Sequence, residues 1–367
     1  MKMGNLSEIL RHFNIEVDIK DYGNGHINDT YLTQSTPRYI LQRINTSIFK
    51  NPKTLMQNIC LVTEFLRKKI IKNGGDPNRE TLTLIKTNDK KNYYTDCDGS
   101  CYRVYKFIDK ALTYESVENP NQLYLAAKAF GKFFNMLSDF DASLLYDTIE
   151  NFHNTKKRYE DFLKSVEENK AQRKDSVLKE IEFAKSHSYI KDPVWDLICE
   201  NKMPLRVTHN DTKLNNVLFD EKTGEGICVI DLDTVMKGSV LFDVGDTLRF
   251  AASTAAEDEK DLNKVWFDLD MYRAHTKGFL EEVIDTLTET EKEYMPFAPK
   301  LLTYETGLRF LADYLDGDIY FKTHFENQNL YRARTQFKLV EDMENKKDEI
   351  QKIFDEVYEQ VLAEKKK

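Results

Sequence analysis

Residues 207–234 read VTHNDTKLNNVLFDEKTGEGICVIDLDT, and this stretch predicts a β-hairpin. Two apolar runs, residues 216–219 and 227–230, have the composition of short strands, and the turn between them contains Gly224 and Gly226. A hairpin brings its two ends together in space. The polar residues that crowd both ends are therefore expected to meet at one place in the fold.

The polar residues at the two ends of this hairpin have the types that phosphoryl transfer needs. His209, Asp211 and Asn216 come before or at the first strand, and Asp231 and Asp233 follow the second. Asp and Asn oxygens that meet at one point suit a hard cation such as Mg²⁺, and Asp211, Asn216 and Asp231 are the candidates. One carboxylate left off the metal is available to accept the proton of a substrate hydroxyl.

The spacing of these residues is that of the catalytic loop in protein kinases. There the pattern is His, one residue, Asp, four residues, Asn, and then an Asp after a short hairpin. This chain lacks the Arg of the protein-kinase loop and carries Asp231-Leu232-Asp233 in place of Asp-Phe-Gly. It thereby resembles the aminoglycoside phosphotransferase and choline kinase superfamily. The resemblance implies an α+β, two-lobed, protein-kinase-like fold, with a small antiparallel β lobe containing a helix and a larger, mainly helical lobe.

A pair of glycines near the start of the chain predicts a loop that covers phosphates. Gly23 and Gly25 are one residue apart and a strand-like run follows, although an ordinary hairpin turn would explain the same pattern. On the next strand Gln42 stands where the kinase plan has a lysine for the α- and β-phosphates. Gln42 can hydrogen-bond but carries no charge, and Arg43 points to the opposite face of an ideal strand. How phosphate charge is neutralised therefore stays open.

Strand and helix signals predict two lobes that meet at residue 109. Residues 1–109 are mostly strand-like, with one long helix after the cap signal Asn51-Pro52. Residues 110–367 are mainly helical and include the catalytic hairpin. They are predicted to end in one long amphipathic helix over residues 339–362. The first lobe is expected to bind the nucleotide, and the second to hold the acceptor pocket.

Two further features bear on ligand binding. The last strand of the first lobe should end as a hinge, so the backbone groups of Phe107 and Ile108 are expected to contact adenine. In one apolar helix further along, Glu305, Arg309 and Asp313 lie four residues apart and share one face. Surface ion pairs at this spacing are common and weak. The apolar character of the helix favours burial, however, and a buried Arg with two acids organises a site.

The composition indicates a globular protein without a nucleic-acid or membrane partner. Of the 367 residues 41% are hydrophobic, which allows a substantial core, and the net charge of −9 disfavours polyanions. The five cysteines are odd in number and fit neither a disulfide framework nor a zinc site. No stretch has the apolar length of a membrane span, and no signal peptide is evident. We therefore expect a cytoplasmic protein.

A closer resemblance covers nearly the whole chain. Six segments in one order are similar to the bacterial N-acetylhexosamine 1-kinases, a family in which Gln also occupies the place of Gln42. These segments are residues 22–28 (YGNGHIN), 38–42 (RYILQ), 45–49 (NTSIF), 206–216 (RVTHNDTKLNN), 230–234 (IDLDT) and 309–320 (RFLADYLDGDIY).

This resemblance implies a kinase that makes N-acetylhexosamine 1-phosphate from ATP in the presence of Mg²⁺. It implies that Asp211 is the base and that Asn216 and Asp231 are the metal ligands. Its partners would be ATP and a small sugar. Apart from the resemblance, we expect a monomer. The residues that it implies for the sugar pocket are His26, Arg309 and Tyr320, together with Asp211.

Two alternatives remain open on the sequence. One is a kinase for another small alcohol: a choline site should show an aromatic cage, and an aminoglycoside site an acidic pocket, while homoserine is a further possible acceptor. The other is a nucleotide-binding pseudokinase with a regulatory role. The intact Asp211, Asn216 and Asp231 argue against the pseudokinase.

Overall fold

The computed structural model describes residues 3–23 and 27–366, with side chains from Leu6 onward. Its internal contacts divide the chain into two compact units, each assembled from separate stretches of sequence. Unit 1 consists of Met1–Thr113, Asp139–Glu150 and Asn216–Lys237, and unit 2 of Tyr114–Ser138, Asn151–Asn215 and Gly238–Lys367. The predicted lobe boundary at residue 109 stays a prediction.

The predicted α+β fold class is confirmed, because antiparallel strands are concentrated in unit 1 and most helices lie in unit 2. The strands are β1 Ile19–Asp21, β2 Asp29–Thr33, β3 Tyr39–Ile44, β4 Leu84–Ile85, β5 Tyr94–Thr95, β6 Cys101–Lys106, β7 Ala111–Leu112, β8 Arg206–Thr208, β9 Val217–Asp220, β10 Gly226–Val229 and β11 Met236–Gly238. The helices are α1 Met3–Arg11, α2 Pro52–Lys72, α3 Pro120–Met136, α4 Thr155–Glu168, α5 Leu178–Ser186, α6 Pro193–Cys199, α7 Val240–Ala251, α8 Leu269–Val283, α9 Glu289–Tyr294, α10 Ala298–Asp316, α11 Gln328–Asn345 and α12 Lys347–Lys365.

The main sheet of unit 1 is antiparallel, in the order β1-β2-β3-β6-β4, with β5 also paired to β6. Its register places Gln42 of β3 opposite Thr30 of β2 on one side and Arg103 of β6 on the other. The apolar face of α1 packs on this sheet through Leu6 and Leu10, both nearly inaccessible to solvent. This register decides which polar side chains of the three strands can meet.

The predicted hairpin is present in unit 1 as β9 and β10, and β7 pairs with the outer edge of β9. The strands begin one residue from their predicted limits, because Asn216 ends a short 3₁₀ turn, Leu214–Asn216, instead of opening the strand. The pairing nevertheless continues past Val217 and Val229, since the N–H of Ile230 donates to the carbonyl of Asn216 at 2.9 Å.

Unit 2 is built around α10, which is buried along most of its length. Tyr304, Leu308 and Leu311 are inaccessible to solvent, and the helix packs against α4, α7 and α11. Such all-round burial is expected of a helix that is apolar on more than one face. No helix in the described part of the chain has both the length and the apolar character needed to cross a bilayer.

The prediction of one long helix over residues 339–362 is wrong. The chain breaks at Lys346 into α11 and α12. The end of α11 and the break residue are both attached to Phe267: the Asp342 carboxylate accepts the N–H of Phe267 at 2.7 Å, and Lys346 Nζ donates to the carbonyl of Phe267 at 2.8 Å. The apolar spacing from Met343 to Ile350 is compatible with a continuous helix, so tertiary contacts decide the break.

A buried imidazole in α8 leads to a prediction about pH and stability. His275 is buried beside Phe279, and its Nδ1 has no hydrogen-bond partner among the described residues. Burial lowers its pKa to about 3. Because this lies below the ordinary value near 6.5, the stability it contributes is complete above pH 6.5 and is lost as the pH falls toward 3.

We expect the free energy of unfolding to fall by about 1.4 kcal/mol per pH unit through this one group. His275→Leu should remove that part of the slope between pH 6 and pH 4.5, measured by denaturant titration at several pH values. His324→Gln, at an exposed histidine, is the control and should leave the slope unchanged. Equal slopes for wild type and His275→Leu would contradict the prediction.

Candidate active site

Two carboxylates of α7 hold the predicted catalytic loop, residues 209–216, of which residues 209–215 belong to unit 2. Asp243 accepts the backbone N–H groups of His209 at 2.9 Å and of Asn210 at 2.7 Å. Asp246 accepts the N–H of Thr212 at 3.2 Å, and the Thr212 hydroxyl donates to the carbonyl of Asp243 at 2.7 Å. Burial raises the pKa of Asp243, while its two backbone donors and His209 oppose the rise. Both α7 carboxylates therefore brace the loop that carries Asp211.

Asp211, the predicted base, follows a residue in an unusual backbone conformation. Asn210 has φ of 63°, in the left-handed region that Asn tolerates better than most residues. The Asp211 side chain is 22% exposed, and its Oδ1 lies 2.9 Å from Lys213 Nζ. The Asp211 carboxylate raises the pKa of Lys213.

Sequence reasoning missed Lys213, although the signal was available. A lysine two residues after the base, in a loop otherwise made of Asn, Thr and Asp, places one positive charge beside the predicted proton acceptor. An ammonium group in that position can pair with a carboxylate or with a phosphate oxygen.

A histidine connects the catalytic loop with α10. His153 Nε2 lies 3.2 Å from the carbonyl oxygen of Asn210, and its Nδ1 lies 2.8 Å from Glu305 Oε1. Glu305 is inaccessible to solvent and also accepts the Thr155 hydroxyl. Burial alone would raise the pKa of Glu305, but His153 and Thr155 lower it overall. Both ring nitrogens of His153 lie within hydrogen-bond distance of oxygens, one on Glu305 and one on Asn210, so the ring connects α10 with the loop.

The expectation that Glu305, Arg309 and Asp313 form one charged group is not met. Among the described residues Arg309 makes no ion pair with either acid, because each acid has other partners. Asp313 accepts the backbone N–H groups of Ile319 (2.9 Å), Tyr320 (2.7 Å) and Phe321 (3.0 Å). Asp313 therefore fixes the loop that follows α10, while Glu305 serves the catalytic loop.

Arg309 and Tyr320, two of the residues implied for the acceptor pocket, lie together in unit 2. The Arg309 guanidinium is 5.7 Å from the ring centre of Tyr320 and 5.4 Å from those of Phe152 and Phe321. Tyr320 is 59% exposed, so its ring and hydroxyl are accessible. His26, the third of these residues, lies outside the described residues.

Arg158 adds a second guanidinium to this region. Its Nε and Nη2 donate to the carbonyl oxygen of Phe152 at 3.2 and 2.9 Å. Burial, and after it the charge of Arg309, lowers the pKa of Arg158. The surroundings of Arg309 are thus aromatic and positively charged, a property that sequence reasoning did not predict because residues 158 and 309 are far apart in the chain.

The predicted metal ligands lie in unit 1, at the same end of the hairpin. The N–H of Ile230 donates to the Asn216 carbonyl, which makes Asn216 and Asp231 neighbours across the two strands. Asp231 has φ and ψ of 57° and starts the short 3₁₀ turn Leu232–Thr234. The convergence of Asp211, which belongs to unit 2, with this pair stays a prediction.

One carboxylate and one amide form a chemically suitable pair for Mg²⁺, which prefers oxygen ligands and retains several waters or phosphate oxygens. In the part of the chain that the structure describes, no three His, Cys, Asp or Glu side chains are grouped to hold a metal ion. A magnesium site at Asn216 and Asp231 would therefore rely on oxygens from the nucleotide and from water.

The predicted phosphate-covering loop joins β1 to β2 in unit 1. Gly23 has φ of 75°, a backbone conformation in which any residue with a side chain would be strained, so this position favours glycine. Gly25 lies outside the described residues, and its role stays a prediction. At the end of the loop, Asn28 is buried: its Nδ2 donates to Asp233 Oδ2 at 2.7 Å, and its Oδ1 accepts the N–H of Asn45 at 2.9 Å.

Gln42 occupies a buried polar network rather than an open surface. Arg103 donates to its Oε1 from Nε at 3.0 Å and from Nη2 at 2.9 Å, and Gln42 Nε2 donates to Thr30 at 3.2 Å. The third nitrogen of Arg103, Nη1, forms an ion pair with Asp233 at 2.5 Å. Arg43 instead lies in a surface ion pair with Asp29.

The predicted hinge follows β6. The N–H of Phe107 donates to the Arg38 carbonyl at 3.0 Å, and the Arg38 guanidinium lies 4.1 Å from the Phe107 ring centre. The backbone N–H of Phe107 is thus already used within unit 1. Of the two predicted adenine partners, Ile108 is the better candidate for a backbone donor, and both assignments stay predictions.

Solved structures with the same fold are kinases and phosphotransferases. The chain aligns with a microcompartment-associated aminopropanol kinase at 12% identity and a TM-score of 0.61, covering 95% of this chain and 98% of that one. A spectinomycin phosphotransferase, solved with ADP and spectinomycin, aligns at 13% identity and a TM-score of 0.58, covering 94% of this chain and 99% of that one. The Plasmodium vivax ethanolamine kinase aligns at 14% identity and a TM-score of 0.53, covering 90% of this chain and 87% of that one. At these identities the likeness establishes the fold alone.

The family is established by a sequence match over most of the chain. The model described as "Phosphotransferase enzyme family" (APH) matches residues 18–275. That span includes the glycine loop, the β-sheet with Gln42, the catalytic loop and the hairpin. The chain therefore belongs to the APH phosphotransferase enzyme family and is a small-molecule phosphotransferase.

Proposed function

We propose that the protein transfers the γ-phosphate of ATP to the anomeric hydroxyl of an N-acetylhexosamine, such as GlcNAc or GalNAc, giving the sugar 1-phosphate. The six sequence segments shared with N-acetylhexosamine 1-kinases support this acceptor. The observation that carries the proposal is the charge around Arg309 in unit 2.

The region around Arg309 suits a neutral, hydroxyl-rich molecule better than a cation. Two guanidinium groups, Arg309 and Arg158, lie there with three aromatic rings. The acids on the same helix are already engaged, Glu305 by His153 and Asp313 by backbone N–H groups. Arg donors match the hydroxyls and the acetamide carbonyl of the sugar, and an aromatic ring matches its apolar face.

The amine substrates named for the related structures require the opposite charge. Aminopropanol and ethanolamine each carry an ammonium group, and an ammonium beside two guanidinium groups is repelled unless a carboxylate neutralises it. In unit 2 the neighbouring Glu305 and Asp313 are already committed to other partners. The charge around Arg309 therefore favours the sugar over an amino alcohol.

In the proposed reaction Asp211 accepts the proton of the anomeric hydroxyl as that oxygen attacks the γ-phosphorus. The bond between this phosphorus and the oxygen bridging to the β-phosphate breaks, and ADP leaves. A magnesium ion held by Asn216 and Asp231 would neutralise charge on the phosphates. His26, Arg309 and Tyr320 would orient the sugar, and the backbone of Phe107 and Ile108 would hold adenine.

The acceptor is tested with a substrate panel in ATP and Mg²⁺. We expect GlcNAc and GalNAc to outperform glucose and galactose, since polar groups built for the acetamide stay unpaired without it. Phosphorylation at C1 destroys the reducing end and phosphorylation at C6 preserves it, so a reducing-sugar assay with ³¹P coupling identifies the product. The proposal would be overturned if the protein phosphorylated ethanolamine, choline, homoserine or an aminoglycoside but did not phosphorylate any N-acetylhexosamine. No ATP turnover with any acceptor would favour a pseudokinase.

A further inference from the structure

The phosphate side of unit 1 lacks the lysine of the kinase plan. In protein kinases a lysine on the third strand binds the α- and β-phosphates and is positioned by an ion pair with a glutamate of the following helix. Here the strand position is Gln42, and α2, the following helix, places Met56 Sδ 4.0 Å from Arg103 Nη1. The lysine is thus replaced by an uncharged amide, and α2 contacts Arg103 through an uncharged thioether.

A buried ion pair, Arg103–Asp233, lies next to Gln42 and Met56. Arg103 and Asp233 are 1% and 4% exposed at their side chains, and they join β6 to the turn after the catalytic hairpin. Removing two charges from water is costly unless geometry and hydrogen bonds compensate. Part of the compensation comes from hydrogen bonds, because Arg103 Nε and Nη2 donate to Gln42 and Asp233 Oδ2 accepts from Asn28, while Asp233 Oδ1 faces Arg103 Nη1 in the ion pair.

The ion pair fixes which way the Gln42 amide faces. A guanidinium has donors only, so the Gln42 atom that receives both Arg103 bonds must be the carbonyl oxygen. The Nε2 group therefore faces away from Arg103. One of its hydrogens is directed at Thr30, and no acceptor among the described residues takes the other.

At its other end the ion pair holds Asn28, the residue before β2. Both ends of the Asn28 amide are used, toward Asp233 and toward the N–H of Asn45. A rotation of the Asp233 carboxylate would release this anchor. Asp233 also lies two residues after Asp231, so the ion pair connects Asn28, β6 and the segment that carries the predicted metal ligand.

We propose that the Arg103–Asp233 ion pair takes over part of the role of the missing lysine, by presenting the Gln42 amide N–H to a nucleotide phosphate. The inference rests on the proposed use of ATP but not on the identity of the acceptor. Arg103 is too buried to touch the nucleotide, so it is a positioning residue. Because the ion pair is neutral overall, it contributes orientation and a polarised amide, and the metal carries most of the charge neutralisation.

The test compares the binding of Mg-ATP with that of adenosine by calorimetry, using the full chain without any acceptor. Arg103→Gln should weaken Mg-ATP binding by about tenfold to hundredfold, the range for hydrogen bonds to charged groups. Adenosine, which lacks phosphates, should bind within about threefold of wild type on the same reasoning. The double variant Gln42→Lys with Arg103→Gln rebuilds the lysine of the kinase plan and should recover most of the lost Mg-ATP affinity.

Two further variants separate positioning from folding. Gln42→Met keeps the ion pair and removes only the amide, and it should lower Mg-ATP binding without changing that of adenosine. Arg206→Gln breaks another buried ion pair, in which Glu291 accepts two bonds at 2.7 and 2.8 Å, and it should lower Tm while leaving both ligands unaffected.

The preference for Mg-ATP over adenosine decides the outcome. If Arg103→Gln and Gln42→Met retain the wild-type preference, or lose both ligands in parallel, the ion pair is only structural. If Arg103→Gln does not fold, Gln42→Met alone decides. Failure of the sugar panel would leave this result standing, whereas a wild type that binds adenosine as tightly as Mg-ATP would overturn both proposals.

Discussion

Replacement of Asp211 by Asn is expected to lower kcat by about 100- to 10,000-fold, the contribution typical of a positioned general base. The amide keeps the shape of the side chain but cannot take the proton of the acceptor hydroxyl. Mg-ATP affinity should change little, because the predicted nucleotide residues belong to unit 1. Single-turnover phosphorylation of GlcNAc, alongside calorimetry with Mg-ATP, measures both quantities.

A matched control for this variant exists elsewhere in the chain. Asp89 pairs with Lys91 at 2.7 Å, the same two-residue spacing as Asp211 and Lys213, but on the surface of unit 1. Asp89→Asn should leave kcat unchanged, so loss of a short-range ion pair cannot account for the effect. A drop of less than tenfold in Asp211→Asn would remove the general-base role.

Asp231→Asn is expected to be the second large effect. Mutation of a residue that only supports a metal ligand lowers metal affinity or activity by about 10- to 100-fold. Loss of a direct anionic ligand should therefore lower kcat/KM by at least as much. The Mg²⁺ concentration for half-maximal rate should rise, because one negative oxygen is lost from a hard-cation site. Rates are measured against Mg²⁺ at fixed ATP.

The opposite end of the same hairpin provides the control. Asp220 accepts the N–H groups of Lys222 and Thr223 in the turn and pairs with Arg79. Asp220→Asn should affect stability but not the metal requirement. An unchanged Mg²⁺ optimum in Asp231→Asn would place the metal elsewhere, and Asp233 is a poor substitute because its oxygens are engaged by Arg103 and Asn28.

Features of this protein that depend on neighbouring residues were predictable from the sequence. The Asn51 side chain caps α2 as expected, accepting the N–H of Thr54. The hairpin also follows from a local pattern. In each case the interacting groups are close in sequence, or the strand pairing itself specifies which groups meet.

The features that were missed depend on long-range contacts. Gln42 could be recognised as an anomaly, but not its bond to Arg103, because strand order cannot be read from a single sequence. The spacing of Glu305 and Arg309 was correctly noticed, yet the partner of Glu305 is His153, 152 residues earlier. Helical spacing shows which side chains share a face, and the rest of the fold decides what that face meets.

Unit 1 is assembled from three separate stretches of chain, and this bears on how the protein is made. Its first stretch ends at Thr113, but the last, which carries Asp233, ends at Lys237. At ordinary rates of synthesis the roughly 120 intervening residues take about 6–25 s to leave the ribosome. During that interval the nascent N-terminal sheet holds Arg103 without its carboxylate partner. Unit 1 is therefore completed only after the hairpin has been translated, and a ribosome stalled before that point would present an unfinished unit 1 to chaperones.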